Sequence, residues 1–485
     1  MKRAVVAALI YTVALGAQTP PWKALKYTPL KPLTFPDVDE FTLPNGMRVM
    51  MLESHTLPII RGTALVRTGN LFDPADKVGL ASVTGSVLRS GGISDKTGDQ
   101  IDEELENIAA SIESGIGESS GTVSFSCLKE SKDQVLNLFM KILTAPEFRE
   151  NKIDLTKQQM MSEIMRRNDD ASEIAQREFT NILYGRDNSY GWSEEIGTVA
   201  KVQRADVQAF YTRYFFPSNI LFAVQGDFDR AAMRSQIEQL FAVWTVKQAP
   251  VPAFPPVHFT YKPGTYLAVK AEATQTNISL GQSGGELKDP DFPALAVMSD
   301  ILGGGFNSRL FRHIRTQLGL AYEVGASWGA DYDHPGLFSI YSSTPSQNTV
   351  KVIEASRQEV ERLRTEPVTE DELEEARETV LNSFVFYFDT PGKTLNRLIT
   401  YRYFGYPKDF IFQYQKAVAA VTSQDVLRVS KKYLDPEKFV VLAVGNPKEF
   451  GESLTKLGSP VSLVDLNIPV PESMRQGGPP PGEPK

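Results

Sequence analysis

Four histidines, His55, His258, His313 and His334, are the only imidazoles in the chain. No two of them stand at a spacing that places both on one helix face or in one tight turn, so a local histidine metal pair is excluded. The single cysteine, Cys127, rules out an intrachain disulfide and a thiolate zinc knuckle. Serine chemistry has only formal matches: residues 117–121 and 281–285 read as G-x-S-x-G, and residues 453–456 read as S-x-x-K. A nucleophile elbow needs a sharp turn from a strand into a helix. The first string lies between strand-like stretches, Lys288-Asp289-Pro290 delays any helix after the second, and no S-D-N follows the third. A serine enzyme is therefore the weakest reading. The run Gly303-Gly304-Gly305 lacks the Lys-Ser/Thr ending of a P-loop and the spacing of a dinucleotide fingerprint, and predicts a flexible connection between helices.

The elements that must position any site come from a chain of 485 residues, too long for one ordinary domain. With 41% apolar and 23% charged residues it has ample material for two cores, and a disordered, collagen-like or multi-span membrane protein is excluded. Lys plus Arg is 51 against 59 for Asp plus Glu, a formal charge of −8 without a basic run, which argues against nucleic-acid binding. Residues 1–17 begin with Lys2-Arg3, continue in an apolar run and end in small residues before Gln18-Thr19-Pro20-Pro21. That pattern predicts a secretory signal peptide, hence an exported protein, periplasmic or extracellular, without stable membrane insertion.

The mature chain repeats itself. Aligning Asp206 with Asp425 also aligns Val207 with Val426, Tyr214 with Tyr433, Pro217 with Pro436 and Gly226 with Gly445, all at one offset of 219 residues. Each copy predicts a helix, a proline-marked turn and an apolar strand ending in glycine. Upstream of each lies a long helical stretch with one break, at Asn168-Asp169-Asp170 in the first half and at Thr390-Pro391-Gly392 in the second. Each half opens with strand-like material; in the first, Asn45-Gly46 is a hairpin signal. Residues 246–259 carry four prolines and predict a semi-rigid linker between a domain at 35–245 and a second at 260–450. The segment 461–485 reads as a Pro/Gly-rich tail.

Several strings carry a resemblance: LPNGMRV at 43–49, VRTGNLFDPADKVGLA at 66–81 and, most specific, LGGGFNSRLFRHIRTQLGLAYEVGAS at 302–327. With the two Asp–Tyr–Pro–Gly segments they resemble the pitrilysin-type zinc peptidases, peptidase family M16, over about Phe35 to Glu449. The resemblance implies an α+β fold of two tandem homologous α/β-roll halves, each an antiparallel-rich sheet with helices on one face, arranged as a clamshell. It also implies an inverted zinc motif, His-x-x-Glu-His, directly after the string that here is Gly79-Leu80-Ala81. The two histidine positions hold Ser82 and Ser86, and the glutamate position holds Gly85. The family's third ligand corresponds to Glu163, 77 residues past Ser86. Serine hydroxyls are poor zinc ligands and glycine carries no base, so no metal site is expected; Ala81, Ser82, Gly85 and Ser86 read instead as a helix face packed closely against a neighbour.

The substrate-holding pair of the family, an Arg and a Tyr seven residues apart, corresponds to Arg315 and Tyr322. A guanidinium and a phenol suit a peptide carbonyl and its developing oxyanion. Losing the zinc set while keeping this pair resembles the zinc-free subunit of a heterodimeric member. The implied function is a substrate-holding subunit with no catalytic residue or cofactor of its own, closing around peptide substrates with an HxxEH-bearing partner that carries the zinc. Alone, the chain is expected to cleave no peptide. The alternative is a peptide-binding or scaffold protein of the same fold that serves no peptidase.

Overall fold

The computed structural model describes residues 35–475, so the expected signal peptide and the end of the tail lie outside the described residues. Two six-stranded sheets dominate. The first contains β1 Asp39–Thr42, β2 Arg48–Glu53, β3 Ile59–Val66, β4 Ser111–Ile116, β5 Gly121–Leu128 and β6 Ile220–Gly226, in the order β1-β2-β6-β3-β5-β4. The chain then forms β7 Gly264–Val269, β8 Gln275–Ser283, β9 Gly285–Glu286, β10 Glu323–Trp328, β11 Ala330–Asp331, β12 Leu337–Pro345, β13 Val440–Gly445 and β14 Val461–Leu463. The second sheet has the order β10-β12-β8-β13-β7-β14, and β9 and β11 make a separate short pair.

The helices of the first half are α1 Leu80–Ser90, α2 Gly98–Asn107, α3 Lys132–Thr144, α4 Glu150–Arg166, α5 Ala171–Tyr184, α6 Ile196–Ala200, α7 Arg204–Tyr214 and α8 Arg230–Phe241. Those of the second are α9 Phe292–Gly303, α10 Thr349–Thr365, α11 Glu370–Ser383, α12 Pro391–Phe404, α13 Phe410–Ala419 and α14 Ser423–Tyr433.

The aligned residues of the two halves do the same work. Asp206 and Asp425 each sit at the third position of a helix, α7 and α14, and accept the N–H of the residue before it, from Gln203 at 2.9 Å and Thr422 at 3.1 Å. Each closes a capping box, which satisfies donors the helix start would otherwise leave bare. Pro217 and Pro436 each open a short 3₁₀ turn into a central strand. That strand, β6 or β13, runs parallel to one neighbour (β2 or β7) and antiparallel to the other (β3 or β8). The expectation of two homologous α+β halves is thus what the chain forms.

β3 alternates, burying Ile60, Gly62, Ala64 and Val66, as a strand with unlike faces must. β6 and β13 do not alternate: ILFAVQG and VVLAVG are buried almost throughout. Such strands need cover on both faces, and the second cover comes from the other half. Ile174, Ala175, Phe179 and Leu183 of α5 pack with Ala268, Val440, Leu442 and Val444 on the second sheet. The helix α12 in turn lies across β2, β3 and β6 of the first. Each sheet therefore has its own helices on one face and one borrowed helix on the other. Burying three large apolar side chains of α5 contributes roughly 1.5–3 kcal/mol each to holding the halves together.

The linker 246–259 has no regular structure but is fastened to the first half: Arg213 donates to the carbonyls of Ala249 and Pro250, both at 2.9 Å, and the Tyr190 hydroxyl to that of Pro255 at 2.9 Å. The boundary drawn at 450 is too early. Residues 461–463 of the expected tail form β14, pairing parallel with β7 at the sheet edge. Beyond it the chain crosses to the first half, where Asn168 donates to the Leu466 carbonyl at 2.7 Å and Ile468 and Val470 pack on Ile164, Ile196 and Val199. Composition hid this because alternate apolar residues here serve a sheet edge and a surface groove, not a core. Among the described residues no helix is long and apolar enough to cross a membrane.

Candidate functional site

Two places carry the sequence-predicted residues, one at the start of α1 and one before β10. At the first, Gly79 has φ +103°, a left-handed conformation in which the chain turns into α1 without Cβ strain. Asp73, only 5% exposed, accepts the N–H groups of Gly79 at 2.8 Å and Ala81 at 2.9 Å and so caps the helix from six residues upstream. Burial pushes its carboxyl up to about 7, even against those two N–H bonds, and the nearby charge of Glu194 adds to the rise.

Ser82, expected from the resemblance at the first histidine position of the motif, donates to Glu194 at 2.6 Å. Glu194 and Glu163 share the wall of a cavity of about 720 Å³ with Asp73 and three arginines, Arg166, Arg167 and Arg177. Ser86 is exposed. Gly85 explains itself sterically. A Cβ there would lie 2.4 Å from the Ile116 nitrogen and 2.8 Å from the Gly115 carbonyl carbon, so α1 is pressed onto the backbone of β4. The Ser114 hydroxyl of β4 donates to the Gly85 carbonyl at 2.7 Å and accepts from the Arg89 N–H at 3.3 Å, reaching into the helix ladder. The close packing expected for this helix face is present at Gly85.

These residues do not fit zinc. The donor set is two hydroxyls, one already committed to a carboxylate, and an exposed glutamate, and the missing base cannot be added at Gly85 without displacing β4. Among the described residues no three His, Cys, Asp or Glu side chains converge as a metal-holding group.

At the second place the chain after α9 enters a π-helical segment, Phe311–Gln317, that carries Arg315. It stands on a rigid base: Arg309 makes a two-pronged ion pair with Glu372 of α11, at 2.8 and 3.0 Å, and His313 Nδ1 lies 2.7 Å from the buried Glu359 of α10. Leu320, between the two predicted residues, is tied by its carbonyl to the Thr344 hydroxyl at 2.6 Å and the Asn348 amide at 3.1 Å. The Arg315 guanidinium lies 4.6 Å over the Phe311 ring and 4.5 Å over the Tyr322 ring. It is held by two rings, and no ion pair ties it to an acid among the described residues. Tyr322 is 75% exposed at the mouth of β10. The pair therefore offers phenol and guanidinium donors to solvent, from a platform that packing holds still.

The structure brings Arg315 and Tyr322 together, and joins Ser82 to the cavity of Glu163 through Glu194. It does not bring the two groups together: that cavity is lined by first-half residues alone. Sequence reasoning missed Asp73, Glu194, Arg309 and Glu372. Asp73 stood in one of the quoted strings, but its role depends on a turn that residue types do not announce. The G-x-S-x-G strings fall in the β4–β5 hairpin and across β8 into β9, neither a strand-to-helix elbow.

The sequence pattern described as "Insulinase (Peptidase family M16)" matches residues 48–190, and that described as "Peptidase M16 inactive domain" matches residues 201–380. The chain belongs to the M16 family. An uncharacterized zinc protease of Rickettsia felis is 25% identical over 69% of this chain and 80% of its own length. The non-peptidase homolog YmxG of Helicobacter pylori is 22% identical over 86% of this chain and 95% of its own. Among solved structures, the peptidase M16 inactive domain from Pseudomonas fluorescens matches with a TM-score of 0.74 at 21% identity, over 84% of this chain and 98% of that one.

Proposed function

We propose that this chain is the zinc-free, substrate-holding subunit of an M16-type metallopeptidase heterodimer. The observation that carries the reading is an asymmetry. The three motif positions are replaced, one of them by a glycine with no room for a side chain, while Arg315 and Tyr322 remain stacked and free of acidic partners, with Tyr322 exposed. The name of the Helicobacter pylori relative, a non-peptidase homolog, supports a chain without hydrolytic activity of its own. In the proposed complex a partner with His-x-x-Glu-His supplies zinc and the water-activating base. Arg315 and Tyr322 donate to the carbonyl of the peptide bond under attack, where negative charge grows in the transition state. The Lys2-Arg3 start and apolar run of residues 4–17 support assembly outside the cytoplasm.

Mixing the purified chain with an HxxEH-bearing M16 chain tests this. The expected result is a one-to-one complex holding one zinc, with peptide cleavage that neither chain gives alone. A partner as active alone as in the mixture would refute the reading and leave the scaffold alternative.

A further inference from the structure

A second recognition site lies away from both places described. On the second half, α12, the 3₁₀ turn Phe384–Tyr387 that precedes it, and Tyr332 enclose a pocket of about 390 Å³. Its wall carries Phe386, Tyr387, Arg397 and Thr400, and Phe386 is 65% exposed. Aromatic side chains left to water on one short turn need a reason.

The charge inside the pocket is unbalanced. Lys393 is already satisfied, pairing with Asp389 at 2.7 Å and donating to the Phe386 carbonyl at 3.1 Å. Arg397 has no acidic partner among the described residues: its guanidinium lies 4.2 Å over the Tyr387 ring and 6.0 Å from the Tyr401 ring, and the groups it faces are the neutral phenols of Tyr332 and Tyr401. Burial pushes the phenols of Tyr332 and Tyr401 up, Tyr401 to about 12, and the Arg397 charge works against both rises. Tyr401 is fully buried, and its hydroxyl faces the Arg397 guanidinium. A guanidinium framed by rings and lacking a counter-charge is preorganised for a planar anion, which it grips through two parallel N–H donors. A phosphate dianion would call for more than this one uncommitted cation. The surrounding rings favour an apolar or aromatic group beside the charge.

We propose that this pocket binds a carboxylate, as a Glu or Asp side chain or a free C-terminus, carried next to an apolar residue of a peptide. That a peptide carries it rests on the proposed function; the anion site does not, since neither Arg315 nor Tyr322 lines the pocket.

Calorimetric titration of the full chain with acetyl-Phe-Glu-amide, acetyl-Phe-Gln-amide and acetyl-Phe-Gln with a free C-terminus tests it. At least one of the two carboxylate peptides is expected to bind at least about tenfold more tightly than the amide, as a charged hydrogen-bonded pair requires, and which one binds identifies the source of the carboxylate. Arg397→Gln should erase the preference, and Arg397→Lys should keep part of it. Should Arg397→Gln fold poorly, Thr400→Glu places a carboxylate three residues along the helix from Arg397 and should block the site with thermal unfolding unchanged. Equal affinity for all three peptides, or a preference untouched by Arg397→Gln and Thr400→Glu, would overturn the proposal. A preference lost in Arg315→Gln but kept in Arg397→Gln would overturn it too, while leaving the proposed function standing.

Discussion

Gly85→Ala asks directly whether α1 is held by close packing on the backbone of β4. At a solvent-facing helix position, glycine to alanine stabilises by about 1 kcal/mol through helix propensity. Here the new Cβ would stand 2.4 Å from the Ile116 nitrogen, 2.8 Å from the Gly115 carbonyl carbon and 3.0 Å from its Cα. Those are backbone atoms, which cannot swing aside, so α1 must retreat from β4 by most of an ångström. Overpacking of this kind costs about 1–3 kcal/mol, and the retreat stretches the 2.7 Å bond from Ser114 to the Gly85 carbonyl, worth about 1 kcal/mol. Set against the propensity gain, the net effect is a destabilisation of about 1–3 kcal/mol. Urea unfolding of wild type and Gly85→Ala at one pH measures it. The triple change Ser82→His, Gly85→Glu, Ser86→His should be less stable still and should not acquire tightly held zinc, measured by metal analysis. A Gly85→Ala chain more stable than wild type would refute the packing argument and, with it, the reason that the motif cannot be restored.

Further outcomes follow from other contacts. Glu372→Gln should destabilise by about 3–5 kcal/mol in urea unfolding, because it strands Arg309, 7% exposed, without its counter-charge. Burial alone would raise the Glu372 carboxyl, but Arg309 and the Thr369 N–H hold it down to about 2, so the pair's contribution should persist through mild acid and fade only as pH falls from about 4.5 toward that value. His334 joins the halves: its Nδ1 lies 2.9 Å from Asp333, its Nε2 3.4 Å from Glu118 of the first half and 3.5 Å from Asp331. Burial lowers its pKa, but the Asp333 bond and the charges of Glu118 and Asp331 raise it overall. Its contribution should therefore be full below pH 6.5 and be lost as pH rises through the raised value, a slope that His334→Gln should flatten in thermal unfolding. Truncation after residue 460 removes β14 and the crossing segment, and should speed hydrogen exchange along β7 and around Ile164 and Val199 while leaving β3 and β5 protected.

The repeat was legible because one offset joined Asp, Pro and Gly residues whose local roles are strict: closing a capping box, opening a 3₁₀ turn, ending a central strand. The helix breaks before Ala171 and Pro391 were legible for the same reason. The exchange of α5 and α12 was not. Their apolar stripes read as ordinary amphipathic faces, and nothing in a stripe names the sheet it will cover; the near-continuous burial of β6 and β13 was the available clue. At the site, Arg315 and Tyr322 were found through a string with fixed spacing, whereas Asp73 and Glu194 act on Gly79, Ala81 and Ser82 through tertiary contacts across 6 to 112 residues. The strand at 461–463 was missed because three residues beside prolines and glycines carry almost no periodic signal.

The central claim is that a chain with no metal of its own works inside a partner's active site, and Tyr322→Phe tests it most directly. The ring over which Arg315 stacks is kept and one exposed hydroxyl is removed, so folding and assembly should match wild type. Cleavage of a peptide by the reconstituted pair, compared at equal complex concentration and saturating substrate, should fall by about 10²–10³-fold in kcat, the usual consequence of losing one oxyanion donor. Equal turnover by wild-type and Tyr322→Phe complexes would contradict the account.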